Sequence, residues 1–482
     1  MDTTTAPPAG ALRQFDDLPG PRGIPVFGNL LQLDSTRVHQ QVEAWCEVYG
    51  PVFKLRLGKR RLVVVGDHEL ISTALRDRPD GFRRTQRLED VGREMGLSAG
   101  LFASNGEAWK RQRRMVMAGF DPVHVKRYYP ALLRVAERLI ARWQIAARKG
   151  RRIELQADLM RYTVDAVAGL AFGEDVNTLQ SDEDVIQQHL NRIFPMLFKR
   201  MFSPFPVWRW WPSAEDRALT HSVAEIDVAV QGFIAKARGR LAADPGLHAE
   251  PGNLLEAMLV AADAPDSGID DAQVAGNVLT MLLAGEDTTA NTLAWMIWLL
   301  WQHPEALARA REEVDGVLAG AALPDLAQLG ALDFIEACAH ETMRLRPVAP
   351  INTLQAVHDT RVGDVQVPAG MIVMAVMRRD ATSERHLSNA AAFDPARWLA
   401  GAKQAGAAKR LSMPFGAGPR ICPGRYLALM EIKLACAVLL RHFDITAVDT
   451  PDGQAPRELL QLAMGPVGLS MRLTGRSALR VA

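Results

Sequence analysis

A cysteine near the C-terminal end of the chain lies in a segment suited to chemistry. Cys422 belongs to the glycine-rich sequence PFGAGPRICPGR, Pro414–Arg425, just before a helical pattern that starts near Pro423. Amide N–H groups and the helix dipole at a helix N-terminus favour a thiolate, and Arg420 offers a fixed cation two residues away. A buried, inert cysteine in a glycine-rich loop is the alternative interpretation of Cys422 taken alone.

A second unusual segment, AGEDTTANT, lies in the middle of the longest helical pattern, at Ala284–Thr292. Glycine costs about 1 kcal/mol relative to alanine inside a helix, and threonine loses rotamer freedom there. Small residues let a ligand lie against the backbone, and a hydroxyl that diverts a carbonyl can open a helix to water. Asp287 and Thr288 are therefore candidates for chemistry, although an acid next to a threonine can also be an incidental feature of a helix face.

Two further motifs place charged residues on shared helix faces. In ETMR, Glu341 and Arg344 lie one helical turn apart and can pair, although most pairs at this spacing are solvated surface pairs. In WKRQRR, Trp109 and Arg113 lie four residues apart on a predicted helix. Their basic neighbours Lys110, Arg111 and Arg114 are equally compatible with a solvated face.

The spacing F-x-x-G-x-R-x-C-x-G, from Phe415 through Gly418, Arg420 and Cys422 to Gly424, resembles the cytochrome P450 family. In that family the cysteine is the proximal haem ligand, so the resemblance implies that Cys422 binds the iron of haem b. It also implies a mainly α fold, with one large helical domain and a small β-rich region. The resemblance covers nearly the whole chain, from LPGPRG near the start to the C-terminal strands.

The resemblance carries residue roles with it. Proton delivery to bound oxygen falls to Asp287 and Thr288, with Glu286 as the next candidate by position. The other roles are propionate or haem contacts at Trp109, Arg113, Arg420, Phe415, Gly416, Gly424 and Ala284, a structural triad of Glu341, Arg344 and Arg397, and a substrate pocket at Phe102, Met281, Ile351 and Met464. Many family members carry a further propionate-binding arginine near Leu354 and Gln355, and this sequence has none there.

The composition is that of a folded globular protein, with 48% hydrophobic and 23% charged residues among 482. A net charge of +1 gives no overall field to hold a nucleic acid. The four cysteines form no C-x-x-C pair, the N-terminus does not resemble a signal peptide, and the apolar stretch Leu293–Trp301 is about half of a membrane-spanning helix. These features predict a soluble cytoplasmic protein without a transmembrane anchor.

Hydrophobic periodicity predicts a chain dominated by helices. The longest are expected near 106–118, 131–148, 155–172, 214–243, 270–301, 304–318, 334–345 and 423–443, with a hairpin around Gly58. We expect a flexible N-terminus at 1–17 and a single domain at 18–482, with β-rich parts at roughly 50–75 and 350–376. The aromatic segment Ile193–Pro212 is interpreted as a loop, either packed on the core or acting as a mobile apolar lid.

The expected function follows from the resemblance: a haem-thiolate monooxygenase that inserts one oxygen atom from O2 into a small apolar organic substrate. Because the chain contains no flavin or ferredoxin module, the sequence predicts a separate reductant of the ferredoxin or flavodoxin type, as for a soluble bacterial-type member. We expect this reductant to dock on the Cys422 side, near the basic residues Lys110, Arg111, Arg425 and Lys433. Alternatives are a peroxide-using or rearranging enzyme of the same fold, a haem-binding gas or ligand sensor, and a haem-free structural protein. A relay at Asp287 and Thr288 argues against peroxide use, since peroxide already supplies protons.

Overall fold

A computed structural model describes residues 12–120, 126–181, 185–203 and 205–476, and this part of the chain is mainly helical with a small β region. The helices are α1 (Val38–Tyr49), α2 (His68–Arg76), α3 (Gln86–Glu94), α4 (Gly106–Gly119), α5 (Tyr129–Arg148), α6 (Leu155–Val167), α7 (Val185–Phe202), α8 (Ala214–Ala243), α9 (Leu254–Ala262), α10 (Asp271–Gln302), α11 (Pro304–Leu318), α12 (Leu326–Gly330), α13 (Asp333–Leu345), α14 (Ala405–Leu411) and α15 (Arg425–His442). A π-helical turn at Ala168–Phe172 extends α6.

The strands form four small sheets. They are β1 (Val52–Leu57), β2 (Arg60–Val65), β3 (Phe82–Arg83), β4 (Ile153–Glu154), β5 (Ile351–Ala356), β6 (Thr360–Val362), β7 (Val365–Val367), β8 (Ile372–Val376), β9 (Phe443–Asp449), β10 (Glu458–Leu460), β11 (Met464–Pro466) and β12 (Ser470–Gly475). The largest sheet has the order β1-β2-β8-β5-β3, and only its β2–β8 pair is parallel. The β-rich region therefore joins the two predicted parts of the chain, 50–75 and 350–376.

The long helix α10 is the centre of the helical domain. It begins with a capping box in which Asp270 and Gln273 exchange hydrogen bonds, and it packs against α6, α13 and α15. A Cβ at Gly285 would lie 2.6 Å from the Val167 side chain of α6. The glycine is therefore required for the close approach of two helices, which corrects its interpretation as a residue that makes room for a ligand.

Two sequence predictions about chain segments are wrong. Residues 12–17 are ordered, because Phe15 is buried in a 3₁₀ turn and Arg13 forms an ion pair with Asp364, whereas residues 1–11 lie outside the described ranges. The first half of the aromatic segment 193–212 belongs to α7, which continues through Pro195 and buries Ile193 and Leu197. A loop prediction based on proline content missed this helix, since apolar contacts on one face offset the cost of an interior proline.

Within the described ranges, no helix combines the length and the apolar character that crossing a membrane requires.

Candidate functional site

The loop that carries Cys422 is shaped by two left-handed glycines and by its contact with α2. Gly416 and Gly418 have φ angles of +75° and +71°. A Cβ on Gly418 would lie 2.6 Å from the Arg76 Cα at the end of α2, so the loop is pressed against that helix. The amide of Cys422 donates to the Phe415 carbonyl over 2.9 Å and closes the loop.

The Cys422 thiol is accessible at its surface and yet lies among many protein atoms. Burial raises the pKa of this thiol, while a hydrogen bond from the Gly424 amide and the charges of Arg113 and Arg425 act in the opposite direction. The sequence predicted that the helix N-terminus would make a thiolate favourable. The Gly424 amide at that helix start does favour the ionised sulfur, as expected, while burial acts against it, and a metal ion bound to the sulfur would favour the thiolate further.

Arg420 is fixed beside the Cys422 loop by the segment that precedes α4. Its guanidinium donates to the Leu101 and Ser104 carbonyls over 3.1 and 2.8 Å and to Asn105 Oδ1 over 3.0 Å. It also lies 5.0 Å from the ring centroid of Trp109, which is buried. Trp109 and Arg420, separated by more than 300 residues in the chain, therefore meet at one place.

A further arginine, which belongs to no sequence motif, lies in the same place. Arg84 stacks over the Phe102 ring at 4.4 Å and donates from Nη1 to Asn352 Oδ1 over 3.0 Å. Its Nε atom is buried and has no hydrogen-bond partner among the described residues. Asn352 belongs to β5, close to the position near Leu354 where the family's additional arginine is missing.

These arginines form a cluster of positive charge, defined by Arg78, Arg84, Arg113 and Arg420. Burial, followed by the charges of the other three, lowers the pKa of Arg420 to about 9, and Glu89 opposes this only weakly. Burial likewise lowers the pKa of Arg84 to about 10. Uncompensated buried cations are costly, and a pair of carboxylates would neutralise them. The cluster therefore fits the two propionates of a haem bound at Cys422.

A cavity of about 1070 Å³ lies beside α10. Its walls include Ala284, Asp287 and Thr288, and the predicted residues Phe102 and Ile351 also line it. Further apolar lining comes from Phe194, Leu197, Phe198 and Met201 of α7, from Leu279 and Leu283 of α10, and from Leu460, Leu462 and Ala463. A largely apolar wall of this size suits a lipid-like or terpenoid-like organic ligand.

Two of the predicted pocket residues are placed elsewhere. Met281 lies off the helix face that lines the cavity, which runs through residues 279, 280, 283, 284, 287 and 288, and it packs into the neighbouring core. Met464 is fully buried in a different core cluster, and its amide donates to the Val348 carbonyl. The prediction was wrong for both, because sequence position near a pocket does not determine which side of an element faces it.

Asp287 is held in a partly desolvated position on the cavity wall. Asn291 donates to its carboxylate over 2.5 Å, and the Ala463 amide donates to it from the turn before β11. Burial nevertheless dominates and raises the pKa of Asp287 to about 6. A carboxyl group with this pKa exchanges protons near neutral pH, as a general acid must.

The Thr288 hydroxyl lies on the same wall and donates to the Ala284 carbonyl over 2.7 Å. The helix remains regular through this bond, so the predicted opening of α10 does not occur. Glu286 is buried, with 2% of its surface exposed, and it does not line the cavity. Among the three predicted acid–base residues, the structure thus brings Asp287 and Thr288 to the cavity and directs Glu286 into the core.

The predicted structural triad meets in the core. Arg344 donates to both Glu341 oxygens over 2.7 Å, and Arg397 donates to Oε1 over 3.1 Å. Burial alone would raise the pKa of Glu341, but hydrogen bonds from Arg344, Trp398 and the Asp394 amide lower it. Arg344 also donates to the Ala381 and Ala390 carbonyls over 2.6 Å, so the charged group fastens α13 to the segment before the Cys422 loop.

The basic residues expected to meet a reductant divide into two groups. Lys110 is partly exposed and pairs with Glu107 and Asp80, and Arg425 stacks on the exposed Tyr426 ring. Lys433, in contrast, is 5% exposed and binds Glu336 over 2.8 Å. Its assignment to a docking face was wrong, since a buried and paired ammonium cannot meet another protein.

Comparison with known proteins gives a consistent result. The sequence pattern of the family described as Cytochrome P450 matches residues 18–472. The Arabidopsis thaliana protein LUTEIN DEFICIENT 5, chloroplastic, is 27% identical over 409 residues, which are 82% of this chain and 67% of that protein. A self-sufficient cytochrome P450 monooxygenase of Phanerodontia chrysosporium is 28% identical over 443 residues, which are 90% of this chain but 40% of that protein.

A solved structure agrees with these sequence matches. The crystal structure of the cytochrome P450DA haem domain superposes with a TM-score of 0.84 at 26% identity, and the match covers 97% of this chain and 99% of that chain. The fold described above, with its small β region beside a large helical part, is therefore that of the solved haem domain.

Proposed function

Because this chain belongs to the cytochrome P450 family, whose members bind haem b, we propose that it is a monooxygenase acting on an apolar organic substrate. The observation that carries the proposal is the cavity, whose largely apolar wall contains Asp287 and Thr288 side by side. A haem held by a cysteine thiolate supplies O2 activation, in which one oxygen atom enters a C–H bond or a double bond. The other atom leaves as water after two electrons and two protons are taken up.

The residues of the chain hold the cofactor at three places. Cys422 would provide the thiolate, since its accessible sulfur fits a metal ligand and metal binding would favour loss of the thiol proton. Arg113 and Arg420 provide guanidinium groups for the propionates, and Trp109 orders Arg420. We propose Arg84 as the third propionate contact, since its unpartnered Nε and its pKa indicate a missing anion. The Cys422 loop takes its shape from Phe415, Gly416 and Gly424.

Asp287 and Thr288 have separate tasks in the proposed reaction. The Asp287 carboxyl, with its pKa of about 6, binds a proton from solvent and releases it on the cavity side. The Thr288 hydroxyl can exchange its bond to the Ala284 carbonyl for a bond to a water molecule, which then carries the proton onward. Glu286 would act only as an indirect source of protons, since it lies behind the cavity wall.

The electrons are proposed to come from a separate protein of the ferredoxin or flavodoxin type. Lys110 and Arg425 lie at the surface near α4 and near the start of α15, and their charge suits an acidic partner. All four cysteines are unpaired, which fits a reducing compartment such as the cytoplasm. Some relatives are instead named self-sufficient cytochrome P450 monooxygenases.

A spectrum and a product assay test the proposed function together. The reduced, carbon-monoxide-treated protein should show the absorption of a thiolate-ligated haem, and Cys422→Ala should abolish it, whereas the matched variant Cys436→Ala should not. Incubation with O2, reductant and a panel of apolar substrates should give a product that carries one atom of labelled O2. Haem binding without any product would favour a ligand sensor, and product formed only with peroxide would favour a peroxide-using enzyme.

A further inference from the structure

Away from the cavity, two histidines converge on one buried carboxylate. His68, the first residue of α2, places Nδ1 2.9 Å from Asp380 Oδ2, and His386 Nε2 lies 3.6 Å from the same oxygen. The two imidazole rings are 5.1 Å apart between centroids and nearly perpendicular. All three ligand-type atoms lie within 4.8 Å of one another. We propose that His68, Asp380 and His386 form a binding site for a divalent transition metal ion, with Zn²⁺ as the best fit.

Both distances to the Asp380 oxygen are close to the spacing that this ion requires. Zn²⁺ binds nitrogen and oxygen at about 2.0–2.1 Å in tetrahedral geometry, which places neighbouring ligand atoms about 3.3 Å apart. The His68–Asp380 distance of 2.9 Å must therefore widen slightly, and the His386–Asp380 distance of 3.6 Å must shorten slightly. Two imidazoles and one carboxylate leave the fourth position to water, and the softer transition metals prefer this ligand set to Mg²⁺ or Ca²⁺.

The groups around the carboxylate orient it for this role. Arg379 donates to the other oxygen of Asp380 over 2.7 Å, and the His68 amide donates to Oδ2 over 2.9 Å. Such outer hydrogen bonds commonly orient metal-binding carboxylates. The charge of Arg379 opposes a cation, but Glu47 lies 3.5 Å from its Nε and offsets that charge. With neutral imidazoles, the group of Asp380, Arg379 and Glu47 has a net charge of −1.

The side chains of the three proposed metal ligands differ in their exposure to solvent. The Asp380 side chain is 3% exposed and that of His68 is 17% exposed, whereas that of His386 is 33% exposed. The first two are therefore fixed in place, and His386 can turn at the surface to complete the site when an ion arrives.

The position of the site suggests what a bound ion would do. It would fasten the N-terminal end of α2 to the turn at 380–386. Arg344, which pairs with Glu341, already holds that turn by donating to the Ala381 carbonyl. The opposite end of α2 contacts Gly418 of the Cys422 loop. A metal ion at His68 would thus stabilise α2, the helix against which the Cys422 loop is packed.

The test uses Zn²⁺ alone with the full-length haem-loaded protein. Calorimetric titration should show one tight equivalent, the zinc absorption edge should indicate two imidazole ligands, and Tm should rise by a few degrees. His386→Ala and, as a second variant, His68→Gln should each weaken this binding by at least about tenfold.

The matched control is His221→Ala, which alters the other histidine pair, His189 and His221, whose rings lie 5.8 Å apart. Zinc binding should persist in this variant. The proposal is overturned if the wild-type protein binds no stoichiometric Zn²⁺, if His386→Ala and His68→Gln both bind as well as wild type, or if His221→Ala removes the binding.

Discussion

Asn291 donates a hydrogen bond to the Asp287 carboxylate over 2.5 Å, from one turn further along the same helix. The bond holds the acid against the cavity wall and stabilises its ionised form, while burial acts more strongly in the other direction and sets the pKa at about 6. The balance between these two effects determines when Asp287 carries a proton.

The first prediction concerns this balance. If protonated Asp287 supplies protons for the reaction, O2 consumption should rise as pH falls from about 7.5 to 5.5, with an inflection near 6. Asp287→Asn should remove the inflection and slow consumption across the range. Asn291→Ala should move the inflection upward, because it removes the bond that favours the carboxylate. Steady-state oxygen electrode measurements check all three, and a downward shift in Asn291→Ala would contradict the assignment.

Thr288→Ala should separate oxygen consumption from product formation. The variant loses the hydroxyl that would hold a proton-carrying water, so reducing equivalents should appear as hydrogen peroxide while haem content and substrate binding remain. Thr288→Ser, which keeps the hydroxyl, should restore much of the coupling. The ratio of product to electrons consumed is the measurement, and a fully coupled Thr288→Ala variant would place the relay elsewhere.

The sequence was informative where local chemistry decides structure. Helix α8 begins at the predicted residue because Ser213 and Asp216 form a capping box, and α11 begins at Pro304, which suits a first helical turn. The start of α7 and its passage through Pro195 were missed, because tertiary contacts decide whether an interior proline is tolerated.

In the candidate site, too, local sequence signals were informative and long-range contacts could not be foreseen. The motif residues were visible in the sequence, but Arg84 has no motif, and its importance depends on contacts with Phe102 and Asn352 that only folding creates. Gly285 looked like a site residue and proved to serve helix packing against Val167. A single sequence shows which residues could do chemistry, but long-range contacts decide which of them share a cavity.

Glu341→Gln should lower haem content and stability before it alters any catalytic rate. It leaves Arg344 and Arg397 buried with a neutral partner, and breaking such a pair costs about 3–5 kcal/mol. We expect a lower Tm and less soluble protein, with a normal rate per haem in the fraction that folds. Glu312→Gln, on the exposed face of α11, is the control. A fully haem-loaded Glu341→Gln protein that is merely slow would disprove the structural role.

Arg84→Ala should speed haem loss to a haem-scavenging protein by roughly tenfold or more, as expected when a charge-assisted hydrogen bond of about 1.5–3 kcal/mol is removed. Arg84→Lys should recover part of the effect, because it keeps the charge. The neighbouring Arg83→Ala, which removes an ion pair with Glu89 and hydrogen bonds to Gln86 and the Arg84 carbonyl but no proposed propionate contact, should lose haem at the wild-type rate. Equal rates in Arg83→Ala and Arg84→Ala would remove Arg84 from the proposed propionate contacts.

The last prediction concerns Glu431, which lies on α15 and is 1% exposed. Its Oε1 atom has no hydrogen-bond partner among the described residues, and burial raises the pKa of the carboxyl well above its ordinary value of 4.5. The folded protein therefore holds this proton more tightly than the unfolded chain does. Below pH 4.5 both states are protonated and the full contribution to stability is present, and as pH rises toward the folded pKa the contribution is lost.

Glu431→Gln has nearly the same shape as the protonated acid and cannot ionise. The Tm of Glu431→Gln minus the Tm of wild type should therefore grow steadily as pH is raised from 5 to 9, because only the wild-type protein loses stability by ionising this group. The exposed Glu312→Gln variant should run parallel to wild type over the whole range. Thermal melts at each pH decide the question, and a Glu431→Gln variant whose difference from wild type stays constant with pH would show that Glu431 is ionised in the folded protein.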